Sequence, residues 1–235
     1  MNTTETSRFV AELRSRILDG TLPAGTRLDA ERELAVHYEI SRSTIRAGLQ
    51  ALASEGMIQR KIGRNGGSFV TTPKGDSITS SLQLVIGTGG IAERDLLETR
   101  LAIEPQCAEL AATRMSREEL DKLSEIQSEM TAAIRPVGNP TDRTAFLRAN
   151  ADFHLHIALG SHNQALSAII KGLIGPIEAL TDDPHLLGPG QLRELVQAHE
   201  HIFSAVKSRD GFRAADVMRK HLRAHIQLSS ERRSH

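Results

Sequence analysis

The sequence predicts a mainly α-helical protein in two parts: three short helices and a two-stranded hairpin, then an antiparallel helical bundle. Three observations predict it. Apolar residues recur at helical period through nearly the whole chain. A strand signal occurs once, in MIQRKIGRNGGSFV at 57–70. The composition changes at TTPKGDSITSS, where Pro73, Gly75 and a cluster of Ser and Thr read as a linker. The expected boundaries are 1–72, a linker at 73–80, and 81–235.

The first helix carries Phe9, Leu13, Ile17 and Leu18 at helical spacing and ends near Gly20. LPAG is a turn. DAERELAVHY starts a second helix at Asp29 or Ala30, with Leu34, Ala35 and Tyr38 on one face. In ISRSTIRAGLQALASEG, Ser41 is a good N-cap, Ile45, Leu49 and Leu52 form the apolar stripe, and Gly56 is a stop. The hairpin with its Gly-rich turn follows. Helix, helix, turn, helix and a two-stranded wing make the pattern of a winged helix-turn-helix. Its recognition helix spans about 41–53, and its first turn carries Ser41, Arg42, Ser43, Thr44 and Arg46. Such a turn enters the major groove, where Arg bonds guanine edges and Ser or Thr bonds phosphate.

Beyond the linker, SLQLVI predicts a short helix near 78–86. ERDLLETRLAIEPQCAELAATRM predicts a long one, with Pro105 inside it as a source of a kink. Residues 116–134 follow, with Ser116 and Glu119 in a capping-box pattern. Four more helices are expected at about 142–160, 163–180, 191–208 and 211–230, separated by RPVGNPT, TDDPHLLGPG and SRDG. Short connections make neighbours antiparallel, giving a bundle of six or seven helices.

Charge and composition narrow the function. The 235 residues hold 29 Lys plus Arg and 29 Asp plus Glu, so a uniformly basic nucleic-acid binder is excluded. Residues 41–75 are locally basic: Arg42, Arg46, Arg60, Lys61, Arg64 and Lys74 face a single acid, Glu55. That is the footprint expected for phosphate, with Arg64 in the wing turn. Aromatic residues are 3% with no Trp, which argues against stacking on single strands. Cys107 is alone, which excludes an internal disulfide framework and fits a reducing compartment. No apolar run of about 18 residues predicts a membrane span, and MNTTETSRFVAELRSR has no secretory h-region. A cytoplasmic protein is expected.

DFHLHIAL, at 152–159, puts three titratable groups on an apolar helix. Asp152 and His156 are one turn apart and share a face, whereas His154 lies about 200° away. The pair expected to act together is therefore Asp152 and His156, with His154 a bystander. His199 lines up with Val196, Ile202 and Phe203, and so points inward. His221 follows Met218 by three, and His225 comes one turn later on the same face. One Asp and three His offer borderline N/O donors suited to Zn²⁺, Ni²⁺, Mn²⁺ or Fe²⁺. The competing reading is that these are histidines hydrogen-bonded within a core. Arg100 and Glu104 are also one turn apart, a spacing that equally describes a surface ion pair of little worth.

LPAGTRLDAERELAVHYEISRSTIRAGLQALASEGMIQRKIGRNGGSFV resembles the DNA-binding domain of the GntR family of bacterial transcription regulators. The likeness covers about 60 residues. It implies DNA contacts at Arg32, Arg42, Thr44, Arg46 and Gly66, with Ser41 and Ser43 on phosphate. Gly48 departs from the family, which commonly has a larger polar residue there. The segments LLETRLAIEPQCAELAA, DFHLHIALGSHN and HEHIFSAVKSRDGFRAADVMRKHL resemble the ligand-binding (FCD) domain of the FadR-type branch. Many members of that branch carry an Asp-x₃-His on one helix and one His on each of two later helices. The resemblance implies a divalent metal, zinc first, at Asp152, His156, His199 and His221. It further implies a small carboxylate effector held by Arg100, with Asn163 also facing the pocket.

The expectation is a homodimeric regulator of double-stranded operator DNA, acting by repression that an organic acid relieves. An Asp/His₃ ion with an open position can also activate water. A metal-dependent enzyme acting on small carboxylates is therefore the competing expectation, and a purely structural metal is a third.

Overall fold

The computed structural model describes residues 3–63, 66–71, 75–134, 142–181 and 188–232. The chain divides into two compact units, Met1–Ser77 and Ile78–His235.

In the first unit, α1 spans Thr3–Leu18, α2 Glu31–His37 and α3 Arg42–Ser54, followed by β1 Ile58–Lys61 and β2 Gly67–Val70. Each boundary has a local cause. Glu33 reaches back to accept the Ala30 N–H at 3.1 Å, which closes the start of α2. Ser41 caps α3 by accepting the Thr44 N–H at 3.1 Å. Gly56 ends α3 at φ +71°, a conformation that costs glycine nothing. β1 and β2 pair antiparallel, with Ile58 opposite Val70 and Lys61 opposite Gly67. The segment before α2 flanks β2 through Leu28 N–H to Ser68 O and Val70 N–H to Thr26 O, both 2.8 Å.

The core of this unit joins Phe9 and Leu13 of α1 to Leu34 of α2, Ile45, Leu49 and Leu52 of α3, and Ile58 and Val70 of the hairpin. Phe9 also meets Tyr38 edge-on, with ring centroids 4.9 Å apart. Gly48 is the position where α1 and α3 come closest. A Cβ there would lie 2.4 Å from Cδ1 of Phe9. The glycine is thus a packing requirement of the Phe9 ring.

In the second unit, α4 spans Gly75–Gly87, α5 Glu93–Arg114, α6 Arg117–Ala133, α7 Arg143–Gly160, α8 Gln164–Thr181, α9 Pro189–Lys207 and α10 Gly211–Arg232. Residues 75–80, expected as linker, are the start of α4. Thr79, Leu82 and Ile86 fall on one helical face. Thr79 donates its hydroxyl to Ala168 O at 2.9 Å, and Leu82 packs against Gly172 of α8. A polar, Ser- and Thr-rich sequence is helical here because that face has a partner. Residues 135–141 and 182–187, within the stretches expected as loops, lie outside the described residues.

α5 is the central helix, packed against α7, α8, α9 and α10. It runs unbroken through Pro105. Ala108, Ala111 and Ala112 are completely buried and admit close neighbours such as Ala214 of α10. Ser116 and Glu119 form the expected reciprocal cap on α6, at 3.2 and 2.7 Å.

Gly48→Ala should destabilise the first unit. The gain in helix propensity is about 1 kcal/mol. Phe9 is 1% exposed and has no room to move, and overpacking a core costs about 1–3 kcal/mol. The thermal midpoint of the variant is expected below that of the parent; an equal or higher midpoint would refute this account of the glycine.

Candidate functional sites

Two surfaces carry chemistry, one in each unit.

In the first unit, Ser41 is occupied twice over. It caps α3 and shares its hydroxyl with Ser43 at 2.8 Å and Thr44 at 2.7 Å. Thr44 is only 7% exposed, so its side chain belongs to the cap more than to the surface. Arg32, Arg42, Ser43 and Arg46 are exposed. Arg46 does not hang free: its guanidinium donates to both carboxylate oxygens of Glu31, Nη2 at 2.9 Å from Oε2. Arg60 of β1 bonds the same carboxylate at 2.6 Å. Hydrogen bonds from Arg46, with the charge of Arg60 beside them, hold Glu31 below the usual carboxylate range. One acid on α2 therefore positions a base on α3 and another on the wing.

The wing turn is braced from behind. Arg27 donates to Gly66 O at 2.8 Å. A side chain at Gly66 would strike the Lys61 carbonyl at 2.5 Å, so only glycine closes this turn. Lys61 lies over the Phe69 ring, 4.9 Å from its centroid. Arg64 lies outside the described residues.

In the second unit, the donors converge around α5. Arg100 and Glu104 are 2% and 1% exposed, so the surface reading of this pair does not hold. Arg100 Nε bonds Glu104 Oε1 at 2.6 Å, and the other carboxylate oxygen meets Nδ1 of His154 at 2.5 Å. Burial alone would push the Glu104 carboxyl up, but the charges of Arg100 and His154 outweigh it and bring it down to about 2.

His154, His199 and His221 form one cluster whose ligating nitrogens all lie within 4.8 Å of one another. This corrects the expected donor set, because the inward histidine of α7 is His154. The Asp152 side chain is 40% exposed and lies 3.9 Å from Arg148. His156 turns its Nδ1 back onto the Asp152 carbonyl at 2.8 Å. The physical reason is the face of α7 that packs inward. Leu147, Asn150, His154, Ile157 and Ser161 are its buried stripe. Asp152 and His156 do share a face, but it is the outer one. Periodicity of the neighbouring apolar residues was the signal that finds His154. Measured from His154, the Asp-x₃-His pattern falls on Asn150, which puts a neutral amide where the pattern has a carboxylate.

Asn163 is likewise placed elsewhere. Its Oδ1 accepts the N–H groups of Ala165 and Leu166 at 3.1 and 3.2 Å, so it caps the start of α8.

Tautomers follow from the partners. The Glu104 carboxylate and the Leu195 carbonyl only accept, so Nδ1–H of His154 donates to the first and Nδ1–H of His199 to the second, at 2.7 Å. That leaves Nε2 lone pairs on His154 and His199, 3.3 Å apart, with His221 Nε2 3.4 Å from that of His154. Burial pushes His199 down to about 3 and His221 well below its ordinary value. Both are neutral at pH 7 and ready to ligate. Tetrahedral zinc with bonds of about 2.05 Å needs nitrogens about 3.3 Å apart. The two separations to His154 match this, and Glu104 behind His154 is the carboxylate that commonly orients a ligating imidazole. Arg100 Nη2 sits 3.3 Å from the same His154 Nε2, so a fixed cation borders the cluster.

His225 lies one turn beyond His221 and is 8% exposed. Its Nδ1 is buried with no hydrogen-bond partner among the described residues. Burial, followed by the charge of Arg100, lowers it to about 4.

A winged DNA-reading unit joined to a helical unit with a buried cluster of polar side chains defines a class: regulators that bind DNA and carry a sensing domain. Residues 5–70 match the gntR family of bacterial regulatory proteins, and residues 95–224 match the FCD domain. The chain belongs to the gntR family, with an FCD domain, and is a transcriptional regulator. It is 31% identical to the Glc operon transcriptional activator of Escherichia coli over 91% of this chain and 85% of that one. It is 27% identical to the galactonate operon transcriptional repressor of Escherichia coli over 90% of each chain. A GntR structure from Streptococcus agalactiae has the same fold, with a TM-score of 0.57 and 23% identity over 93% of this chain and 98% of that one. These relatives are regulators, and the enzyme expectation falls with them. No described helix is long and apolar enough to cross a membrane.

Acid should weaken the metal-free second unit. Folded His199 and His225 sit near 3 and 4 against an ordinary 6.5, so the unfolded chain binds more protons and stability falls as pH drops from about 6.5. Glu104, near 2 against 4.5, adds a loss below about 4.5. After chelator treatment, the thermal midpoint of this unit is expected to be lower at pH 5 than at pH 7.5. An unchanged or higher midpoint at pH 5 would contradict these assignments.

Proposed function

We propose that this regulator is a homodimer that represses transcription from a pseudo-palindromic operator. A small organic acid, bound beside a divalent metal in the FCD domain, releases it. The observation that supports this reading best is the convergence of three imidazole Nε2 atoms beside the buried Arg100. A divalent ion beside Arg100 adds two positive charges where the single Glu104 carboxylate already matches the guanidinium, so an anion between ion and Arg100 is favoured. A carboxylate suits both partners, because the planar guanidinium takes it bidentately.

His154, His199 and His221 would hold the ion; imidazole donors suit Zn²⁺ first, and Ni²⁺, Mn²⁺ and Fe²⁺ accept the same donors. When bound, it supplies a Lewis-acidic anchor for the effector. Glu104 keeps His154 in the ligating tautomer and holds Arg100 in place. The asparagine at position 150 leaves the protein donors uncharged, so the ion keeps its full charge for the acid.

On the DNA side, Arg42 and Arg46 read base edges in the major groove. Arg32, Ser41 and Ser43 serve phosphate, and the Gly66 turn lets the wing approach the backbone. Thr44 acts through the cap. The joint, expected at residues 71–80, is cut back to the stretch before Gly75, where α4 begins. The acid must bind two states unequally, since a ligand of equal affinity for both shifts nothing.

Zinc content measured by elemental analysis should fall sharply in His154→Ala, His199→Ala and His221→Ala and stay full in His156→Ala. Full zinc in the first three, or loss in the last, would return the site to the outer face of α7. Arg42→Ala should weaken operator binding roughly ten-fold without changing the melt. Unchanged affinity would remove Arg42 from the reading face.

A further inference from the structure

Among the described residues, the histidines on this unit's helices divide in an informative way. His199 and His156 each turn Nδ1 onto the backbone carbonyl four residues earlier, Leu195 and Asp152. His154 gives its Nδ1 to Glu104. His225 does neither. Its Nδ1 is buried and has no partner among the described residues, although the His221 carbonyl is at the same helical distance. Burying a polar atom without a partner is unfavourable, so such an atom awaits one.

The position of His225 says which. It stands one turn from His221 on the inward face of α10, and both are buried. It shares the electrostatic environment of Arg100, His154 and Glu104. It is not one of the three clustered ligands. The carboxylate of an effector is already matched by Arg100. A neutral imidazole offers instead a directional bond to an uncharged group, which a hydroxyl can complete as donor or acceptor.

We propose that His225 is a specificity-determining residue that hydrogen-bonds, through Nδ1, a hydroxyl of the bound acid, so that the pocket selects hydroxy acids over their deoxy counterparts. This rests on the metal-and-carboxylate reading above. A site built to bond a hydroxyl rejects the analogue lacking it, because the protein atom is then left unpaired.

The test is calorimetry on the zinc-loaded full chain with matched acids: L-lactate against propionate, and L-malate against succinate. The parent is expected to prefer the hydroxylated member of a pair by roughly ten-fold or more. His225→Gln, whose amide reaches the Nε2 position, should lose that preference. His225→Asn, whose amide stands at the Nδ1 position, should keep most of it. Both variants should retain full zinc and unchanged operator affinity without acid. A preference that survives in His225→Gln would overturn the role of His225 and leave the effector reading intact. A zinc-loaded parent that binds neither member of either pair would overturn both.

Discussion

The second unit is organised around one buried carboxylate. Glu104 lies at the middle of the central helix and binds Arg100 with one oxygen and His154 with the other. A carboxylate in such a place is tolerated only when its charge is matched and its lone pairs are used. Removing it would leave a guanidinium buried without a counter-charge, a loss of about 3–5 kcal/mol in comparable buried pairs. It would also leave His154 free to choose its tautomer. The fold thus spends a demanding interaction on a site, which is what distinguishes a pocket from a core.

The same arrangement explains what was legible in the sequence. The helices were, because caps and stops such as Ser41, Gly56 and the Ser116/Glu119 box act locally. The winged unit was, because turn, recognition helix and Gly-rich hairpin occur in a fixed order. α4 was shortened at its start because its Ser and Thr residues look like a linker until Thr79 finds Ala168 across the bundle. Gly48 is a departure from the family pattern in the sequence, and its cause is visible only in the Phe9 ring packed against it.

The pocket was half legible. His199 and His221 were found by their place on apolar stripes. On α7 the titratable pair at i, i+4 and the apolar stripe lie on different faces, and it is the stripe, with His154, that packs inward. Spacing between two polar residues says that they share a face but not which one; the flanking Leu147, Ile157 and Ala158 do. Glu104 and His225 were visible only as neighbours on a helix. The role of Glu104 depends on His154, 50 residues away in the chain.

Glu31 brings a different consequence for the reading head. Its carboxylate holds Arg46 of the recognition helix and Arg60 of the wing together. Neither arginine can turn toward a phosphate or a base without changing the hold on the other. Their contributions to DNA affinity are therefore coupled. Free energies of single substitutions at 46 and 60 will not sum to that of the double change, since residues sharing one charged partner are not thermodynamically independent.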